Sequence, residues 1–404
     1  THVYLALNGN VNFTMDTGYF IIRDQGLRIS ASAYSCNFNI SGGTIGCAGT
    51  WYDERGTFDP SAGVVMLTGP QDCAIITHID SWFHQLRIDK PFTRSSEDPD
   101  AAANPGQRSG NVSINSCTVR GGFLIDDANV VTLWGALNCV NGGDVAIYAG
   151  VLELGHQSMY TSGDIHVSGT LKVDSGATLH IAHGKALNVY YGGALEVVGE
   201  IGNPATITHN QIGFYALNIE NGAVIAPYGA IFEYMDEQGV NVKPGALVDD
   251  WYKFDHCVFR FGASDGTLLT LGNNQSLNIV GASFPSIASG WPRNVHKSAD
   301  QGFIVFHDYS GGFSGSLYEN DPYNRIEWDG ETLPPVQDLS IVYLPAENLI
   351  HLQWTYPQTV DRFRVWRCAT PDGVFEDMGY STGDVWFETP AGNRYFYRVT
   401  AERD

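Results

Sequence analysis

The sequence predicts an all-β chain, a right-handed parallel β-helix with three faces, on three observations. Between Ser168 and Gly199 it reads SGTLKVDS, GATLHIAH, GKALNVYY, GGALEVVG, with leucines at Leu171, Leu179, Leu187 and Leu195. Each is followed two residues later by Val173, Ile181, Val189 or Val197, and the resulting eight-residue period fits no helix. Within each unit the order apolar, polar, apolar is the alternation of a short half-buried strand, and Gly169, Gly176, Gly184 and Gly192 fall where the chain bends. Three strands and three bends make a coil of about 24 residues. A lone coil orders more backbone than its six aliphatic side chains offset by burial, so coils must stack along one continuous core.

Taken in order, residues 1–95 open with the strand-like THVYLALN (Thr1 to Asn8) and continue with weaker copies of the pattern, such as Leu27-Arg-Ile29, Val65-Met-Leu67 and Leu86-Arg-Ile88. Their spacing is irregular and rich in aromatics, which predicts an N-terminal strand and an irregular, capping stretch of solenoid. The segments Gly56 to Gly69 and Phe83 to Lys90 resemble the repeats of bacterial secreted β-helix proteins, in which a Gly-rich turn, an extended strand and a later Leu-x-Ile strand recur. Residues 96–110, with two prolines and no apolar periodicity, predict an exposed loop. The ladder resumes over 111–330 with Val112-Ser-Ile114, Leu152-Glu-Leu154, Ile165-His-Val167, Leu217-Asn-Ile219 and Leu269-Thr-Leu271, and it decays after Ser283 into Pro-, Gly- and aromatic-rich sequence suited to a cap.

Composition bounds the partners. Charged residues make up 16% of 404 and glycines number 46, which suits strands and turns rather than charged helices. A net charge of −22 repels nucleic acid and anionic membrane surfaces, and no apolar run reaches the length of a membrane span. The chain begins at Thr1 without a signal-like segment, which is read as the processed end of an exported precursor and so predicts an extracellular or cell-surface protein. The seven cysteines, at 36, 47, 73, 117, 139, 257 and 368, form no CxxC pair. Cys117 and Cys139 are spaced near one coil and so can stack, either as a bridge or as buried thiols.

Catalytic chemistry has little support in these residues. The outward positions Lys172, His180, Asn188 and Glu196 hold no carboxylate pair, and Asp249-Asp250 and Glu319-Asn-Asp321 lack the spacing of a calcium loop. His180 and His183 form an H-x-x-H on a strand rather than on one helical face. Trp51, Trp82, Trp291 and Trp328 offer either sugar platforms or core packing. No nucleophile elbow, P-loop or dinucleotide fingerprint is present. The expectation is therefore a protein that is not an enzyme and needs no cofactor, with structural calcium not indicated by any motif.

Residues 331–335, with Pro334-Pro335, read as a stiff linker, and 336–404 change character. Leu352-Gln353-Trp354, Phe363-Arg364-Val365 and the closing YFYRVTA (Tyr395 to Ala401) resemble a fibronectin type III domain. That resemblance implies a small β-sandwich with Trp354 as its core aromatic and Tyr395 or Tyr397 as its corner tyrosine. The family's closing strand is the sixth of seven, so the resemblance further implies an open edge beside Tyr395 to Ala401, with a self-sufficient six-strand sandwich as the plainer alternative. Alternating Val3, Leu5 and Leu7 make THVYLALN a suitable donor to such an edge. Donation between copies, through Val3, Leu5, Leu7, Tyr395, Tyr397, Val399 and Ala401, predicts a head-to-tail filament, surface-layer or matrix subunit whose partners are copies of itself. The runner-up is a polysaccharide-degrading or carbohydrate-binding protein on the same scaffold.

Overall fold

The computed structural model describes residues 5–7, 10–22, 26–29, 35–54, 58–69, 71–90, 110–285, 292–329, 336, 338–356, 360, 362–370, 373–390 and 395–402. Val3, Trp291, the expected linker and all of the expected loop but Gly110 lie outside them. The chain forms two compact units, Thr1–Ser314 with Tyr318–Glu327 and Gly315–Leu317 with Trp328–Asp404.

The first unit is a parallel β-solenoid of about 11 turns. Eleven strands, from Leu5–Leu7 to Leu247–Val248, follow one another in chain order along one face. Its register keeps like on like: Leu152 lies beside Leu171, Leu171 beside Leu195 and Leu195 beside Ile225. Two further ladders meet in the long strand Cys117–Asp127, which pairs through Cys117–Val119 with Leu137–Cys139 and through Gly122–Ile125 with Asp144–Ile147. Each of these pairings joins one coil to the next in parallel, so the connected sheet is two faces of a solenoid and not a barrel. The eight aliphatic residues that define the repeat, Leu171 to Val197, are all fully buried.

The described part of residues 1–95 continues the same faces, with Leu5–Leu7, Gly26–Ile29, Thr50–Asp53 and Cys73–Ile76 paired in parallel. Aromatic packing hides that regularity in the sequence. Trp51 stands in register between Leu27 and Ile75, and its ring packs edge-on against Phe58 and Phe83 at 4.8 and 5.5 Å. At the other end Phe232, Phe259 and Phe284 stack through successive coils at 5.5 and 5.3 Å, and Phe306 meets Phe284 edge-on at 6.0 Å. Large rings take core positions here without breaking the ladder.

Where the 11-stranded face stops, a side chain carries the pairing one coil further. Gln275 accepts from the Val248 N–H at 2.7 Å and donates to the Val248 carbonyl at 2.9 Å. A primary amide offers the same donor and acceptor as a peptide unit. Beyond it, Leu277–Val280, Ile304–His307 and Ile326–Trp328 form a separate three-stranded sheet.

Cys117 and Cys139 do not stack on one another. The coil there takes 20 residues, Cys117 facing Leu137, so Cys139 lands beside Val119. Six cysteines, Cys47, Cys73, Cys117, Cys139, Cys257 and Cys368, are buried free thiols. Burial pushes the Cys139 and Cys257 thiols up to about 12 and raises Cys117 well above its ordinary value.

The second unit contains two antiparallel three-stranded sheets. One orders Ser340–Leu344, Leu349–Gln353 and Val385–Glu388; the other orders Glu376–Ser381, Arg362–Cys368 and Phe396–Glu402. Leu352, Trp354, Phe363, Val365 and Val399 form their shared core, with Trp354 only 1% exposed.

Candidate assembly edge and surface groove

Period-two alternation sends the side chains of Phe396–Glu402 to two sides. Tyr397, Val399 and Ala401 belong to the core cluster, with Val399 buried. Tyr395 lies under the Arg367 guanidinium at 4.6 Å, and the Tyr397 hydroxyl donates to Glu388 Oε1 at 2.5 Å, a carboxylate rather than the backbone carbonyl of a tyrosine corner. Burial and that carboxylate both raise the Tyr397 pKa. The other side of the strand carries charge. Glu402 accepts from Arg364 at 2.6 Å and Arg362 at 2.9 Å, which hold its carboxyl down to about 2.

Of the residues nominated for assembly, Tyr397, Val399 and Ala401 are thus engaged with the core cluster of this unit, and what the strand offers a partner is its backbone. One edge is paired with Arg362–Cys368; the other has no strand beside it among the described residues. Leu5 and Leu7 lie in the first strand of the solenoid, paired on one edge with Leu27–Ile29. In the same coil Phe20, in register with buried Ile45, is 36% exposed.

The residues singled out for chemistry are dispersed in structural roles. Lys172 pairs with Glu196 at 2.7 Å one coil away. His180 stacks on Tyr160 at 4.2 Å, and His183 Nδ1 accepts from the Phe214 N–H at 3.1 Å. Asn188 accepts from Asn218, which accepts in turn from Asn241, each bond 3.0 Å long. Asp249 takes the N–H groups of Trp251 and Tyr252, and Asp321 those of Arg325 and Ile326, which makes both carboxylates turn staples. Trp51 and Trp328 are buried, whereas Trp82 lies beneath the Arg120 guanidinium at 3.5 Å.

Two features escaped the sequence. Asp144, Asp164 and His166 converge from neighbouring coils within 4.8 Å of one another, but the Asp144 and Asp164 carboxylates each accept a backbone N–H, of Asp164 and Ala186. The other is a groove of about 440 Å³ on the outside of the first face, lined by Asp72, Asn111, Ser113, Thr132, Trp134 and Glu153. Ser113, Thr132 and Glu153 occupy one outward column on successive coils, because Ser113 pairs with Thr132 and Thr132 with Glu153. Trp134 stands in the bend after Leu133, 70% exposed. Its signal in the sequence was its place one residue beyond a core leucine, outside the alternation.

No protein-family model matches the chain, and no curated protein matches it. Among solved structures it is similar to a TibC-catalysed, hyper-glycosylated TibA fragment, 14% identical, over 80% of this chain and 98% of that one, with a TM-score of 0.22. The fold assignment rests on the strand pairings rather than on that likeness. Among the described residues no helix is long and apolar enough to cross a membrane.

Proposed function

We propose that the chain is a non-enzymatic structural protein, extracellular or at the cell surface, that assembles with copies of itself into a filament, surface layer or matrix. The observation that carries this reading is that the last strand, which ends at Glu402, has no strand beside one of its edges among the described residues, in a unit of three plus three strands. The sheet order suits a fibronectin type III-like module in which the position beside the sixth strand is vacant among the described residues. An unpaired edge recruits a strand, and addition between copies is heterologous and does not close, so it propagates. The donor is residues 1–8 of a neighbouring copy, whose strand Leu5–Leu7 pairs with one strand alone among the described residues.

Negative-stain microscopy of the protein at high concentration tests this, with a synthetic peptide of residues 1–8 as competitor. Filaments or sheets that the peptide shortens are the expected result. Dispersed monomers throughout overturn the reading, and assemblies that persist in a chain lacking residues 1–8 overturn the donor.

A further inference from the structure

The groove on the first face has the furnishings of a sugar site, and it does not depend on the assembly reading. A pyranose presents an apolar face of C–H groups and a rim of hydroxyls. It is held where an exposed aromatic ring adjoins fixed hydrogen-bonding groups. Trp134 provides the ring, with 70% of its surface in solvent. Ser113 and Thr132 add hydroxyls and Asp72 and Glu153 add carboxylates.

These polar groups are positioned before any ligand arrives. Asp72 Oδ1 accepts the Asn111 N–H at 2.7 Å, Asn111 Oδ1 accepts from Asn129 Nδ2 at 2.9 Å, and Glu153 Oε2 accepts from Thr132 Oγ1 at 3.3 Å. Each carboxylate is oriented through one oxygen, which leaves the other to receive a sugar hydroxyl, and the ladder beneath keeps the column rigid. The groups that converge closely enough for a metal, Asp144, Asp164 and His166, are a different set from the groove's residues.

We propose that this groove binds a neutral glycan. Charge selects the class: two carboxylates line the groove and the chain carries −22, so uronate- or sialate-bearing polymers are repelled while a neutral sugar supplies hydroxyl donors to acceptors already in place.

The test is affinity gel electrophoresis of the full chain against soluble β-glucan, xylan, mannan and galactan, with alginate and polygalacturonate as anionic probes. Trp134→Ala, Glu153→Gln and Trp251→Ala are run in parallel. Trp251 is 85% exposed and lies outside the groove, so its variant controls for loss of any surface indole. The expected result is retardation by at least one neutral polymer, weakened about tenfold or more by Trp134→Ala and measurably by Glu153→Gln, and unchanged by Trp251→Ala. No neutral polymer retarding the chain, retardation by the anionic polymers instead, or equal effects of the two tryptophan variants each overturns it.

Discussion

Lys90 places an ammonium group against the inner wall of the solenoid, fully buried, where it donates to the carbonyls of Gln71 at 2.8 Å, Thr68 at 3.1 Å and Ala48 at 3.4 Å. Three carbonyls from two coils share one cation, an arrangement no periodicity announces. Lys90→Met keeps the stem and strands the acceptors, so it is expected to cost about 2 kcal/mol or more, read from the denaturant midpoint. His180 and His296 are held below the ordinary imidazole value of 6.5 because burial penalises the charged ring. The unfolded chain therefore takes up these protons first as pH falls. Their contribution is complete above about 6.5 and is lost on acidification through the folded values. The melting temperature is expected to drop between pH 7 and pH 5, and to drop less in His180→Phe, which keeps a ring against Tyr160 without titrating. The raised thiols of Cys117, Cys139 and Cys257 stay protonated at neutral pH, so peptide mapping after iodoacetamide treatment should show them alkylated only in denaturant.

At the scale of the element, the turns of the solenoid decide what it tolerates. Gly150 has φ +84°, and a Cβ there would lie 1.9 Å from the Ala128 carbonyl of the coil below. Gly184 has a similar φ of +70° but nothing within 4 Å of that position. Gly184→Ala is therefore expected to cost about 1 kcal/mol for the backbone alone, and Gly150→Ala several times that, because the coil spacing itself must open. Denaturant unfolding of the two variants side by side checks the difference. The same contrast explains what was legible in the sequence. The strands of Leu171 to Val197 were readable because every coil there uses aliphatic residues of one size. The coils around Trp51 and Phe83 read as an irregular cap because aromatic rings there hold core positions that aliphatic residues hold in the regular coils, a fact of volume that alternation does not record. Register was also hidden: whether Cys139 meets Cys117 or Val119 turns on a coil of 20 residues rather than 22. The groove at Trp134 needed four consecutive coils in register before its residues became neighbours at all.

For the whole molecule, the two units have separate cores, one along the solenoid and one around Leu352, Trp354, Phe363, Val365 and Val399. Calorimetry is expected to show two transitions. Trp354→Ala, which empties a fully packed site and costs about 3–5 kcal/mol, should lower or abolish the one belonging to the smaller unit and leave the other in place. Loss of both together would mean that the units fold as one. Six strands of the smaller unit were legible from their alternation and turn residues, but Tyr397, Val399 and Ala401, nominated for assembly, face the core, since alternation alone does not say which side of a strand is already taken.

Gln275 has a consequence for solvent access. Its amide stands in for a strand beside Val248, while Asp255, bridged to Tyr228 and accepting the Val280 N–H at 2.8 Å, and the pairing of Thr267–Leu271 with Met235–Val242 carry the neighbouring coils past that level. Loss of that one amide would bare the Val248 N–H to water without unstacking the coils around it.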